Sequence, residues 1–176
     1  MPVQAIFLID MTLGYLGWAL CIGAYVWPRL RAMEPGQAHR AIATLHSFRF
    51  FGLVFLLPGF VGVNLPQGFA GPAAYGDFAT ALLAILALLT ARVRFVFWPL
   101  VWAFNLAGLA DLIIDTALAV KLDLPSAAGQ LGAAYAILML YVPALFWTHI
   151  AALWLLLRPA ASAQSAGAHT PLVAAK

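Results

Sequence analysis

The sequence predicts an all-α polytopic integral membrane protein, a bundle of five transmembrane helices that forms one domain at residues 1–160. The 176 residues are 65% hydrophobic and only 9% charged, whereas soluble domains usually carry about 25% charged residues. The charged residues also fall between long apolar stretches, a pattern imposed by the cost of a charge at the bilayer centre. Together these observations exclude a soluble fold.

Five apolar stretches approach the length of about 20 residues that a spanning helix needs. In chain order they are residues 5–27, 41–63, 75–92, 98–120 and 128–157. The first stretch has no basic leader and contains Asp10, so we expect a retained helix rather than a cleaved signal peptide. Pro143 predicts a kink in the last stretch.

Turn-forming residues separate these stretches. The predicted loops are PRLRAMEPGQAHR, LPQGFAGPAAYGD and KLDLPSA, whereas RVRFVFWPL, between the third and fourth stretches, is ambiguous. Residues 161–176 have too few apolar side chains to fold alone, so we predict a disordered cytoplasmic tail.

The basic residues predict the orientation in the membrane. One side of the predicted bundle has only Lys121, and the other side has Arg29, Arg31, Arg40, Arg92, Arg94 and Arg158. By the positive-inside rule the N-terminus faces outward and the C-terminus faces the cytoplasm. We expect the inner (cytoplasmic) membrane of a bacterium. The arginines are spread along the chain rather than clustered, so nucleic acid is not an expected partner.

A stripe of small residues on the first helix predicts a helix contact. Its members follow at spacings of three and four and therefore share one face: Asp10, Gly14, Gly17, Cys21 and Ala24. Small residues let helices approach closely in lipid. We expect this face to meet the fourth helix, with Asp10 close to Asp111.

Three carboxylates are expected in the outer half of the bundle. Asp111 and Asp115 share a face of the fourth helix with Gly108, and Asp10 lies at a similar depth on the first helix. Because lipid exposure is costly for a carboxylate, we expect all three to face each other, water or a ligand. In the alternative, Asp10 and Asp115 reach the outer interface, and Asp111 is protonated and bonded to a backbone carbonyl.

The inner half of the bundle is predicted to have the opposite chemistry. His46 and Arg49 are three residues apart on the second helix, and Thr148 and His149 reach a similar depth on the fifth. These residues predict a basic cavity that is open to the cytoplasm and accepts an anionic headgroup or a carboxylate. In the alternative, Arg49 snorkels to the headgroups and the histidines form hydrogen bonds in the core.

The remaining polar residues are given simpler roles. Asn105 lies near the bilayer midplane and is rotated away from the two aspartates of its helix, so we expect it to bridge helices. His39 in the first loop and His169 in the tail are expected to be solvated.

These features favour a carrier or channel-like protein for a small solute, a proton or a cation, without a cofactor. The predicted pathway runs from the outer carboxylates through Asn105 to the inner basic residues. The sequence contains no phosphate-binding glycine loop, CxxC or HExxH motif. The expected partners are the lipid bilayer, a small-molecule or ion ligand, and other copies of this chain.

Other classes of function stay open at this stage. His46 and His149 are candidate axial ligands of haem b, with Arg49 pairing with a propionate. The same histidines are a candidate acid and base in a membrane enzyme that acts on a lipid or quinone headgroup. The last alternative is a non-catalytic accessory membrane subunit.

Overall fold

The computed structural model describes residues 1–158, which are largely helical and contain no β-strand. The predicted tail at residues 161–176, with His169, lies outside these residues. Five helices are numbered here in chain order, and α2 continues into a 3₁₀ segment, Ser47–Leu56. The helices are α1 Val3–Ala32, α2 Pro35–His46, α3 Gln67–Leu89, α4 Arg94–Lys121 and α5 Ala134–Leu157.

Four of the helices, α1, α3, α4 and α5, are long and apolar enough to cross a membrane. Many large apolar side chains on these helices point away from the bundle, including Leu20, Leu89 and Ile113. An outward-facing apolar surface is suited to lipid, because every spanning structure must present apolar groups to the hydrocarbon. The chain is therefore an all-helical membrane protein.

The second predicted stretch, residues 41–63, differs most from the expected single α-helix. The α-helix ends at His46, and the chain continues as a 3₁₀ helix to Leu56. The sequence of this segment, SFRFFGLVFL, combines aromatic residues with Gly52, and both have lower helix propensity than Ala or Leu. Residues 57–66 contain no helix, and Gly59 has a φ of 88°, which glycine adopts without strain.

The predicted loop LPQGFAGPAAYGD is mostly helical, so that prediction was wrong. The helix α3 begins at Gln67 and includes Pro72. Its early residues Phe69, Ala73 and Ala74 are buried, and this burial outweighs the turn-forming composition of the stretch. The ambiguous RVRFVFWPL stretch contains a tight turn that ends at Val93, and α4 starts at Arg94.

Two π-helical turns precede prolines in the bundle. Ile22–Val26 comes before Pro28 in α1, and Ile137–Tyr141 comes before Pro143 in α5. Proline lacks an N–H and its ring crowds the carbonyl four residues earlier, so a local widening of the helix accommodates it. The predicted irregularity at Pro143 thus takes the form of a π turn. The predicted start of this helix at residue 128 is instead a 3₁₀ turn, Ala128–Leu131, separated from α5 by Gly132 with a φ of 52°.

Two apolar clusters fill opposite ends of the bundle. The first cluster contains Phe7, Phe55, Phe69, Leu124, Leu131 and Leu138, and the second contains Leu30, Ile42, Phe97, Val101 and Phe104. Four helices, α2 to α5, each have buried polar residues between the part that belongs to one cluster and the part that belongs to the other. For α2, the 3₁₀ segment is counted as part of the helix. The buried polar residues therefore form a layer near the middle of the bundle.

Candidate functional site

The polar layer is organised around Arg49, whose side chain has no exposed surface. Its Nε donates to Asp77 Oδ1 at 2.6 Å, and its Nη2 donates to Asp111 Oδ2 at 2.5 Å. Nη1 donates to the carbonyl of Gly108 at 3.3 Å. Arg49 is thus a buried partner of two carboxylates, and the alternative in which it snorkels to the headgroups is wrong. We call Arg49, Asp77 and Asp111 the polar centre.

Glycines on two helices make room for this centre. A Cβ atom at Gly108 of α4 would collide with the His149 ring and with Nη1 of Arg49. A Cβ atom at Gly76 of α3 would collide with the Asp111 carboxylate. Because small residues let helix backbones approach closely, α3 and α4 bring their aspartates onto one guanidinium.

A hydrogen-bonded chain fixes the state of His149, which is fully buried. Asn105 Nδ2 donates to the Val101 carbonyl at 2.8 Å, which leaves Asn105 Oδ1 as the acceptor 3.0 Å from His149 Nδ1. His149 therefore donates from Nδ1, and its Nε2 accepts from Arg49 Nη1 at 3.1 Å. An acceptor nitrogen means a neutral imidazole. Asn105 bridges α4 and α5, as predicted, and it also orients a residue that contacts the polar centre.

His46 lies beside His149, with ring centroids 4.0 Å apart. The hydroxyl of Thr148 donates to the Ala144 carbonyl at 2.8 Å, so it accepts from His46 Nε2 at 3.0 Å. His46 is fully buried, and its Nδ1 has no hydrogen-bond partner among the described residues. The predicted association of His46, Arg49, Thr148 and His149 is present, but it is enclosed between the apolar clusters rather than open to one side.

The two histidines do not fit the geometry of haem ligation. Axial ligands must lie on opposite faces of a haem with the iron between their nitrogens, whereas these rings lie against each other at 4.0 Å. The Nε2 atoms also point to different partners, Thr148 and Arg49. Among the described residues, no group of three or more His, Cys, Asp or Glu side chains could hold a metal ion.

Asp77 is not among the predicted site residues, because it is the last residue of the predicted loop LPQGFAGPAAYGD. The spacing of small and polar residues from Ala70 onward could have indicated a buried helix face that includes Asp77. Buried positions recur at intervals of three and four, as expected for one helix face, at Ala70, Ala73, Ala74, Asp77, Thr80, Ala81, Ala84 and Ala87. A carboxylate within such a buried stripe predicts a basic partner on a neighbouring helix.

The expected outer cluster of three carboxylates does not form as predicted. Asp111 pairs with Arg49, whereas Asp10 accepts a hydrogen bond from the hydroxyl of Tyr135 at 2.6 Å. The small-residue stripe of α1 faces α5 rather than α4, because a Cβ atom at Gly14 would collide with the Met139 carbonyl. Separate acidic and basic clusters were therefore a wrong prediction.

Asp115 lies one helical turn beyond Asp111 and lines a cavity of about 190 Å³. The cavity lies between α1, α4 and α5, and most of its lining is apolar. The Oδ1 atom of Asp115 is buried and has no hydrogen-bond partner among the described residues. The Asp115 carboxyl group therefore lies between this cavity and the polar centre, with one oxygen able to form a hydrogen bond.

His39 is buried, so the prediction that it is solvated was wrong. Its ring packs edge-on against Trp98 with centroids 5.4 Å apart, and its Nδ1 has no hydrogen-bond partner among the described residues. His39 lies outside the four candidate spans. Burial lowers the pKa of the His39 imidazole to about 4, because the charged form loses its hydration.

Comparison with known proteins identifies a matching protein family. A family model with the description "Domain of unknown function (DUF8737)" matches residues 6–157. The matched range includes the whole polar centre, all of α2 to α5, and all of α1 except residues 3–5. No curated protein and no solved structure matches the chain.

Proposed function

The chain belongs to this family of domains of unknown function, and we propose that it is a proton carrier, or a carrier of a small solute coupled to protons. The observation that carries this proposal is the composition of the polar centre. One guanidinium faces two carboxylates in a layer that is closed by apolar residues at both ends.

Counting charges shows why the centre favours a proton. Arg49 contributes one positive charge and the aspartates contribute two negative charges when both are ionised. The neutral His149 adds none, since its Nε2 accepts from Arg49. An uncompensated charge in a buried site is costly, so the centre is stable when it holds one further positive charge. A proton shared by Asp77 and Asp111 supplies that charge, and a small cation is the competing cargo.

The ends of the helices support a path that crosses the membrane five times. Residues near the end of α1, the start of α4 and the end of α5 line one common cavity, so these positions lie at the same end of the bundle. The chain must then cross from α2 to the start of α3 at the opposite end. Residues 40–56 would span roughly 30 Å, at 1.5 Å per α-helical residue and 2.0 Å per 3₁₀ residue, which matches a bilayer core and leaves His39 outside the crossing. We place the N-terminus outside and the C-terminus in the cytoplasm of a bacterial inner membrane.

Asp115 is the proposed entry to the centre from the outer side. It shares a helix face with Asp111 and reaches a cavity next to α1. On the inner side, the Nδ1 atom of His46 has no hydrogen-bond partner within residues 1–158 and can receive a proton. The second apolar cluster blocks further passage, so transport needs a conformational change. The 3₁₀ segment that carries Arg49 is the proposed hinge, because 3₁₀ hydrogen bonds have poorer geometry than α-helical ones and the segment is followed by the non-helical residues 57–66.

Proton uptake into liposomes tests the proposal. The purified chain is reconstituted with a pH-sensitive dye inside, and a potassium diffusion potential, negative inside, drives proton entry. Wild-type protein should acidify the lumen faster than empty liposomes, and Asp77→Asn and Asp111→Asn should each lose most of that flux. Asp123→Asn is the matched control, because Asp123 lies in the loop after α4 and should transport normally. Wild-type flux equal to that of empty liposomes would refute proton transport.

An accessory membrane subunit is the second candidate function. It is favoured by the enclosure of the polar centre between two apolar clusters, which suits a fixed packing element. In that case the aspartate variants would lower stability or partner assembly, and no variant would alter proton flux. Homo-oligomer formation and the identity of any transported solute stay predictions.

A further inference from the structure

A polar cavity, separate from both the polar centre and the cavity beside Asp115, lies at the end of the bundle where α1 and α5 end. Its volume is about 730 Å³, within the range of about 300–1,000 Å³ typical of ligand pockets. The polar lining consists of Arg31, Arg94, Arg158, Glu34 and the buried His39. Trp98, Trp102, Leu155 and Leu156 are among the apolar residues that complete it.

The charge of this cavity is strongly positive and not neutralised internally. Three guanidinium groups oppose one carboxylate, that of Glu34, which caps α2 by accepting from the Gln37 amide at 3.2 Å. The ion pairs found among the described residues all belong to Arg49. The three arginines of the cavity are thus available to an anionic ligand.

Aromatic residues hold two of these arginines in place. The Cζ atom of Arg158 lies 3.8 Å from the centroid of the Trp154 ring, and that of Arg31 lies 5.7 Å from the same ring. Cation–π contacts orient a guanidinium without using its hydrogen-bond donors. Arginine donors that are already oriented lose less conformational entropy when they bind a phosphate.

We propose that this cavity binds the phosphate group of an anionic membrane lipid. The positively charged arginines would bind the negatively charged phosphate through hydrogen bonds. The tryptophan and leucine side chains would pack against the glycerol and the first part of the acyl chains. Tryptophan is enriched at the level of the headgroups, which is where such a cavity would meet the lipid. The inner leaflet, which this end faces in the proposed orientation, carries the anionic lipids. This proposal is independent of proton transport.

Lipid binding by the full chain in detergent tests the proposal. Mixed micelles containing phosphatidylglycerol are titrated into the protein, and bound lipid is measured by native mass spectrometry. The double variant Arg31→Gln/Arg94→Gln should weaken binding at least about 25-fold, since each arginine loses a charge-assisted hydrogen bond to the phosphate, which is worth about fivefold or more. The control is Arg29→Gln/Arg92→Gln, which removes the same charge from neighbouring exposed positions outside the cavity. It should weaken binding less than about threefold, because it affects only the general surface potential.

Three results would overturn the proposal. Equal losses in the two double variants would indicate attraction to the whole basic surface. Equal binding of phosphatidylcholine would show that the lipid charge is not recognised. Displacement of phosphatidylglycerol by millimolar inorganic phosphate would assign the site to a free anion. The melting temperature without added lipid checks folding, and the single variant Arg94→Gln, with an expected fivefold loss, replaces the double variant if that one unfolds.

Discussion

Replacing Arg49 with Leu removes the cation on which the polar centre depends. The variant loses the hydrogen bonds at 2.6 Å to Asp77 and 2.5 Å to Asp111 and leaves both carboxylates buried. Removing one partner of a buried ion pair costs about 3–5 kcal/mol. The sum of two charge-assisted hydrogen bonds, at about 1.5–3 kcal/mol each, gives a similar value. We therefore expect a loss of unfolding free energy of about 4 kcal/mol.

Reversible unfolding in mixed micelles of mild detergent and dodecyl sulfate, followed by circular dichroism, measures this loss. The triple variant Arg49→Leu/Asp77→Asn/Asp111→Asn is the informative control. It removes all three ionisable side chains, so it should recover most of the lost stability, because neutral replacement of a buried ion network is often close to neutral in free energy. Arg49→Lys should fall between the wild type and Arg49→Leu, because one ammonium cannot reproduce the planar guanidinium contacts.

Two results would refute this reasoning. A loss of unfolding free energy below about 1 kcal/mol for Arg49→Leu is the value typical of a solvent-exposed ion pair, and it would contradict the strength expected of a buried one. A triple variant as unstable as Arg49→Leu would show that the packing of the arginine side chain, and not its charge, stabilises the bundle.

Three further predictions concern other parts of the structure. Gly108→Ala should destabilise the fold by about 1–3 kcal/mol through overpacking against His149, whereas Gly17→Ala should not, because the added Cβ atom would meet no described residue of another helix within 4 Å. The pKa of His39 is near 4 in the folded chain and near 6.5 unfolded, so stability should fall by at most about 3 kcal/mol as the pH drops from 6.5 to 4. His39→Asn should show a smaller fall in melting temperature over that range, and an equal fall would contradict the assignment. In a cysteine-free background, an impermeant maleimide added outside cells should label Asn64→Cys and not Gln37→Cys, and the reverse pattern would invert the proposed topology.

The sequence was sufficient to predict a helical membrane protein, because hydrophobicity over about 20 residues reports directly on the cost of transfer into lipid. It was less informative where local composition and tertiary burial disagree. Gly and Pro in the stretch before Asp77 indicated a loop, but burial of Phe69 and Ala73 stabilises a helix there. The error at that point removed Asp77 from the candidate site.

Helical spacing predicted which residues share a face, but it could not predict which faces meet. His46 and Arg49 were correctly grouped, and His149 joins them through contacts between helices. The pairing of Arg49 with Asp111 was not predicted, because depths counted from the helix ends placed the two in opposite halves of the membrane. Both residues lie near the middle of the bundle, and the long arginine side chain reaches a carboxylate on another helix, so the depth of the backbone did not indicate the depth of the guanidinium.

Infrared spectroscopy of the carboxyl groups most directly tests whether the polar centre holds an exchangeable proton. A protonated carboxylic acid has a carbonyl band that is distinct from the bands of a carboxylate and shifts in heavy water. We predict that wild-type protein at neutral pH shows such a band, and that Asp77→Asn and Asp111→Asn each remove the intensity of one carboxyl group. Either substitution leaves one carboxylate for one guanidinium, so the remaining aspartate no longer needs the proton. A spectrum in which neither substitution changes the band would contradict the account, because Asp77 and Asp111 would then both be ionised beside Arg49.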